Sequence, residues 1–320
     1  MRREEKLRAH WAAGLDCCGM RPALCLLLFW LSLTAQAQGD ELGVRYWYSG
    51  ATSTRSHNAQ RVDPSKGNPT SVLTYRDLQA HALELHGRKN LGNGTFIKGY
   101  AGLGDIKSGS FHDEDFDAGQ VKSQDTTSTV KGNYLRYATI DFGGDVWRFK
   151  NGTIGLFFGY QFWRERLDAY GVVFNVPPQG RSDGDSVPAV TNETTWQSLR
   201  VGLTGTAQFE RRTRLVVEGA LVPYAQVRDE DSHWLRVNPP DPDFFLGPAP
   251  NIHIDGTGYG FQLEAELRHE VQRDWEIGAG LRYWWLRASD GTRTALGSSI
   301  PLSELSSQRG GFTLSVTRKW

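Results

Sequence analysis

From Gly39 onward, apolar and polar residues alternate with a period of two. In YGFQLEAELRH, Tyr259, Phe261, Leu263, Ala265 and Leu267 fall on one face, and Gln262, Glu264, Glu266 and Arg268 on the other. GFTLSVTRKW sets Phe312, Leu314 and Val316 against Thr313, Ser315 and Thr317. WEIGAGLRYWW sets Trp275, Ile277, Ala279, Leu281 and Tyr283 against Glu276, Gly278, Gly280 and Arg282. Successive side chains of a strand point to opposite faces, so the pattern reads as strands with one apolar and one polar face. A soluble β-sandwich would show the same alternation. Run length and spacing separate the two readings. Many runs reach about ten residues, the length a tilted strand needs to cross a bilayer. Ten candidate strands lie near 41–49, 70–88, 95–104, 132–148, 152–170, 193–210, 213–229, 258–271, 273–287 and 310–320.

The connections also alternate. KNLGNG, FKNG, ERRT and QRD are short, whereas 50–69, 105–131, 171–192, 230–257 and 288–309 are long and polar. Short turns at one end and long loops at the other describe a transmembrane, antiparallel, up-and-down β-barrel, with its turns in the periplasm and its loops extracellular. The expected fold is therefore all-β, with about ten strands over 38–320.

Composition adds three points. Eleven Trp, eleven Tyr, fifteen Phe and thirty-six Gly suit a chain of strands and turns. With 36 basic and 36 acidic residues there is no positive surplus, so no nucleic-acid partner is expected. The first 37 residues stand apart: Arg21 precedes ALCLLLFWLSL, and Ala35 and Ala37 form an A-x-A cleavage site. Residues 1–37 read as a secretory signal peptide, with Met20 as an alternative start that would leave 1–19 outside the protein. Cleavage there removes all three cysteines and both methionines, leaving neither a thiol nucleophile nor a Cys-based metal site. It leaves 31 basic and 33 acidic residues, a net charge of −2.

A ten-stranded barrel is narrow and fills with its own side chains. Glu218, Glu264, Glu266, Arg268, Glu276 and Arg282 fall on polar faces and are expected to pair across the lumen, which argues against a general porin. Function is then expected in the long connections. Two acidic clusters lie there: HDED, 112–115, after the third strand, and DEDSH, 229–233, after the seventh. The plain reading of each is a solvated acidic loop. The chemical reading is a water-activating site, in which His233 takes a proton from water while Asp231 fixes its tautomer, and Asp113 and Asp115 hold the same water from the opposite wall. Asp113, Glu114, Asp115 and Asp117 also offer oxygen ligands for Ca²⁺, but no D-x-D-x-D-G spacing is present, so no metal is expected. His112, beside the acidic pair, is a candidate for a secondary role. Tyr283, Trp284 and Trp285 read as an interfacial aromatic girdle, and Phe244 and Phe245 as a loop arm above the site.

In these residues the chain resembles the omptin family of outer-membrane endopeptidases. The resemblance rests on Asp113-Glu114-Asp115-Phe116, on Asp231-Ser232-His233-Trp234, and on the segments IGLFFGYQFWR and YWYSGATST. It implies a surface endopeptidase of the Gram-negative outer membrane, with Asp231 and His233 as the dyad that activates water and Asp113 and Asp115 as the opposing pair. It implies that Asp229 helps bind a basic substrate residue. The second acid the family uses for that task falls near Thr54, where no carboxylate stands. The expected partners are a peptide or protein substrate and outer-membrane lipid. Lipopolysaccharide is the expected activator, in place of any cofactor, and the expected state is a monomer. The alternative is a non-catalytic barrel of the same fold, serving as surface antigen, adhesion scaffold or small channel.

Overall fold

The computed structural model describes residues 39–177, 180–181, 188–240, 242 and 245–320. The expected signal peptide, 1–37, and Phe244 lie outside the described residues. Ten long strands run up and down: β1 (Glu41–His57), β2 (Lys66–Gly92), β3 (Thr95–Asp117), β4 (Val121–Phe149), β5 (Gly152–Val176), β7 (Val190–Glu210), β8 (Thr213–His233), β9 (Ile252–Gln272), β10 (Trp275–Ala295) and β11 (Ser298–Lys319). The two-residue β6 (Gly180–Arg181) pairs only with Val173 and Phe174 of β5. Each long strand pairs antiparallel with its neighbours, and the β4–β5 and β1–β11 ladders close the ring. Closure leaves no edge of unpaired backbone groups, as a lipid environment requires. At the β2–β3 turn Asn93 (φ 52°) and Gly94 (φ 79°) both adopt positive φ, the geometry of a tight two-residue hairpin.

The outer wall carries an apolar belt. Val44, Leu83, Leu103, Ile140, Phe158, Val201, Leu221, Leu263, Leu281 and Leu314 supply one exposed large side chain from each long strand. In water such a band would be an aggregation site, whereas in a bilayer it is the lipid-facing surface. Inside the belt the lumen is ionic. Arg282 binds Glu84 at 2.6 Å and Glu264 at 2.8 Å, Arg268 binds Glu266 at 2.8 Å and Glu41 at 2.9 Å, and Arg214 binds Glu276 at 2.6 Å. Glu218 pairs with Lys98 and Arg200. The six lumenal charges expected from the sequence are thus all paired, as charges removed from water must be. Towards the short turns the lumen opens into a chamber of about 760 Å³ lined by Arg45, Lys98, Glu218 and Glu264 among others.

Towards the long connections the lumen closes. Trp47, Tyr137, Trp163 and Trp284 pack across it with ring centroids 4.8–5.5 Å apart, each at most 2% exposed. This aromatic floor corrects one expectation: Trp284 belongs to the interior, and only its neighbours Tyr283 and Trp285 face outward, where they pack with Phe261. A floor of four interlocked rings also stops the lumen from serving as an open channel.

Of the long loops expected, 50–69, 105–131 and 288–309 are largely strand, whereas 230–257 keeps a long connection between His233 and Ile252. Ala51–Ser56 stays paired with Glu304–Arg309 of β11, and Phe111–Asp115 with Gln124–Ser128 of β4. Among the described residues, β1 and β2 are joined by 58–65, β3 and β4 by 118–120, and β10 and β11 by 296–297. Above the belt both strand faces carry polar residues, so the alternation fades while the backbone ladder continues. Apolar side chains still point inward there (Leu73, Phe111, Leu167, Val227, Ile254, Leu302) and form a core on top of the floor.

Candidate active site

Facing direction above the belt is set by β-bulges. On β8 the lumenal residues within the belt are even-numbered (Glu218, Ala220, Val222), and continued alternation would turn Asp229, Asp231 and His233 outward. The ladder between β8 and β9 slips between Val222 and Ala225, around Pro223, which has no N–H for a ladder bond. The extra residue reverses the phase, so Ala225, Val227, Asp229 and Asp231 are all buried inside, at 0–2% exposed. On β3 the lumenal set changes from Phe96 and Ile106 to Phe111, across irregular pairing near Ser108, which carries Asp113 and Asp115 inward. On β10 a bulge between Ala288 and Asp290 turns Arg293 inward, opposite the buried Ile254. In the ring, β3 and β8 are four strands apart in one direction and six in the other, so their tops face each other across the lumen.

Asp229 lies deepest. It is 0% exposed, and both its oxygens are engaged. Arg55 Nε donates to Oδ1 and Oδ2 at 3.1 Å each, Thr194 Oγ1 donates to Oδ1 at 2.5 Å, and Asn192 Nδ2 donates to Oδ2 at 2.7 Å. Asn192 Nδ2 also donates to Asp231 Oδ1 at 2.6 Å, so one amide bridges the two acids. The Arg55 guanidinium lies 5.1 Å over the Tyr75 ring, and that ring packs 4.5 Å from Phe111. The expectation that Asp229 meets a basic substrate residue therefore gives way. Its charge is neutralised by Arg55, and it offers no free oxygen to the well.

Above this anchor, Asp113 feels the charges of Asp115 and Asp231, and Arg293 acts on each of Asp113, Asp115, Asp231 and His233. Burial first, then the charges of Asp115 and Asp231, push the Asp113 carboxyl well above the usual range. Burial raises Asp115 as well, against a Ser71 hydrogen bond and the charge of Arg236. Burial and the neighbouring Asp229 push Asp231 up to about 7, opposed by Arg55 and Asn192. His233 is held down to about 3, by burial and then by Arg236 and Arg293, so its ring is neutral. Its Nε2 is buried with no hydrogen-bond partner. Its backbone is fixed by Asn251, which accepts from His233 N–H at 3.0 Å and donates to its carbonyl at 3.3 Å.

Several participants were not singled out in the sequence: Arg55, Tyr75, Asn192 and Thr194 around the anchor, and Arg236 and Arg293 among the acids. Each lies on a polar strand extension or, for Arg236, on the 3₁₀ turn Trp234–Arg236 directly after β8, where nothing but ring closure brings them together. His112 belongs to the outer face. It pairs with Asp125 at 2.9 Å, and Lys122 joins Asp125 and Glu114 at 2.7 and 2.6 Å, so the ammonium fills the place a cation would take in that cluster.

No protein-family model matches the chain, and no curated protein matches it. Among solved structures it is similar to the outer membrane protease OmpT from Escherichia coli, with 15% identity over 90% of this chain and 99% of that one, and a TM-score of 0.66. The translocator domain of the autotransporter NalP from Neisseria meningitidis matches with 10% identity over 93% of this chain and 95% of that one, at a TM-score of 0.35. A Pseudomonas aeruginosa FadL homologue matches with 10% identity over 88% and 90% of the two chains, at 0.28. The chain thus has the fold of an omptin, a ten-stranded antiparallel up-and-down barrel.

Proposed function

We propose that the chain is an endopeptidase of the Gram-negative outer membrane, with its long connections at the cell surface, and that it hydrolyses peptide bonds with an activated water at the barrel mouth. The reading is supported by the electrostatic effect of Asp231 from β8 on Asp113 from β3 across the lumen, and by the buried His233 Nε2, which has no hydrogen-bond partner among the described residues. The outer membrane protease OmpT, with which the chain shares its fold, is consistent with it.

In this mechanism His233 Nε2 accepts a proton from water as the water attacks the peptide carbonyl. Ionised Asp231 stabilises the imidazolium that forms, and the Asp113–Asp115 pair, holding one proton, positions the water and donates that proton to the leaving amine; the imidazolium then gives its proton back to the pair through the next water. No covalent intermediate forms. Asp229 acts through the anchor: with Arg55 and Asn192 it fixes Asp231 without touching the substrate. Secretion through the segment 1–37 and activation by lipopolysaccharide belong to the same proposal.

The competing reading is a non-catalytic surface barrel. It is favoured by the bond from Asn192 to Asp231 Oδ1, which ties that carboxylate to the anchor. Mature barrel refolded with lipopolysaccharide and presented with a mixed peptide library separates the two. A protease cleaves some members and loses cleavage on His233→Gln, whereas a scaffold cleaves none.

A further inference from the structure

Arg293 stands out among the charges of the well. Its register places it inside, across β9 from Asp229, through the row Asp229–Ile254–Arg293. It acts electrostatically on groups from three strands: His57 on β1, Asp113 and Asp115 on β3, and Asp231 and His233 on β8. A side chain on β10 that acts on groups of β1, β3 and β8 lies within electrostatic reach of all three. Among the described residues it nevertheless forms no hydrogen bond and no ion pair, unlike Arg45, Arg55, Arg200, Arg268, Arg282 and Arg309, each of which is locked to a carboxylate. Burial pulls its own pKa down, as expected for a cation held away from water without a bonded counter-charge.

The carboxylate that could have drawn a basic substrate group, Asp229, is already neutralised by Arg55. Arg236, half-buried at the end of β8, adds a second positive charge facing Asp113 and Asp115. A planar guanidinium matches a carboxylate in geometry as well as in charge. We infer that Arg293 is a specificity-determining residue that binds a carboxylate of the peptide substrate next to the scissile bond, so that the site selects acidic rather than basic sequences. The carboxylate has two sources, an Asp or Glu side chain or the free C-terminus of a short peptide. The inference rests on the proposed protease reading for its catalytic consequence, but not for binding.

The test uses the full mature barrel in lipid, with peptide sets carrying Glu, Gln, Lys or Arg at each position near the cleaved bond, each with a free or an amidated C-terminus. The expected result is a 10- to 100-fold higher kcat/KM for Glu over Gln at one position, the range of a charge-assisted hydrogen bond. Arg293→Gln should bring that ratio close to one, and Arg293→Glu should reverse the preference towards Lys or Arg, a gain that a misfolded barrel cannot mimic. If amidation rather than the Glu-to-Gln change removes the preference, the carboxylate is terminal. Equal cleavage of Glu and Gln peptides with free and amidated termini alike overturns the inference, and so does a wild-type preference for Lys or Arg, or a ratio unchanged by Arg293→Gln. A parallel binding titration of the same peptides on the His233→Gln barrel separates the two failures. Arg293-dependent binding of acidic peptides without any cleavage by wild type would sink the protease reading and keep this one, whereas cleavage without such binding would do the reverse.

Discussion

The pair formed by Arg55 and Asp229 is the part of the site whose energetics follow most directly from geometry. Arg55 is 2% exposed and Asp229 0%, and the guanidinium spans both carboxylate oxygens at 3.1 Å. Breaking such a pair from one side leaves an uncompensated buried charge. Arg55→Met should therefore destabilise the barrel by about 3–5 kcal/mol. Asp229→Leu alone should cost a comparable amount, because it strands the guanidinium among Thr194, Asn192 and the Tyr75 ring. The double variant Arg55→Met, Asp229→Leu removes both charges, and its cost should fall well below the sum of the singles, with a coupling of about 2 kcal/mol or more. The assay is urea unfolding of detergent-refolded barrel, followed by fluorescence of the floor tryptophans. A single-variant cost below about 1 kcal/mol, or additive singles, would refute the claim that this pair anchors the well. The same change has a chemical readout. Arg55 lowers the pKa of Asp231 against the effects of burial and Asp229, so Arg55→Met should move the acid limb of the pH–rate profile to higher pH.

Four further outcomes are expected. In the proposed mechanism Asp231 acts in its ionised form, and burial pushes its pKa up to about 7, so turnover should rise as pH passes through about 7, and Asp231→Asn should abolish turnover at every pH. The folded-state pKa of Asp231 lies above the unfolded value of 3.8, so the folded state holds an extra proton between the two. Stability should consequently fall as pH rises across that window, and urea midpoints at pH 4 and pH 8 should show the slope shrink in Asp231→Asn. Trp284→Ala removes the centre of the aromatic floor and should cost about 3–5 kcal/mol, while raising ion conductance in planar bilayers above the near-zero wild-type level. Deleting Pro223 removes the residue that reverses the phase of β8. A barrel that still folds should then expose Asp231 and His233 on its outer wall, detectable as new labelling of a cysteine placed at 231 by a membrane-impermeant reagent.

Within the belt the sequence was easy to read, because lipid outside and ions inside impose opposite polarities on alternate residues. Leu263 and Glu264, or Leu281 and Arg282, could be assigned to their faces by inspection, and the turns followed from short polar breaks such as Asn93-Gly94. Above the belt the rule weakens. Water lies outside, the lumen holds both a core and a charged well, and a stretch such as Ser53–His57 is polar on both faces although every residue of it is in a ladder. Such stretches look like loops, and their continuation as strand follows only from long-range pairing. The bulges at Pro223, near Ser108 and after Ala288 were equally silent, and each reverses which residues face inward. The two acidic clusters were visible as clusters, and their ring positions followed from strand order. Arg55, Asn192 and Arg293 were not visible, because each is one polar residue among many until the ring closes. Trp284 was misplaced because a buried aromatic floor and an interfacial girdle have the same composition.

The central claim is that an imidazole on β8 and a carboxylate pair on β3 act on one water. A double-mutant cycle on kcat/KM tests it most directly, comparing wild type, Asp113→Asn, His233→Gln and the double variant on one cleaved peptide. If the groups share a water, each single variant should lose about 10²–10⁴-fold, and the double variant should be no slower than the worse single. Losses that multiply, or single variants that turn over at the wild-type rate, would contradict the account.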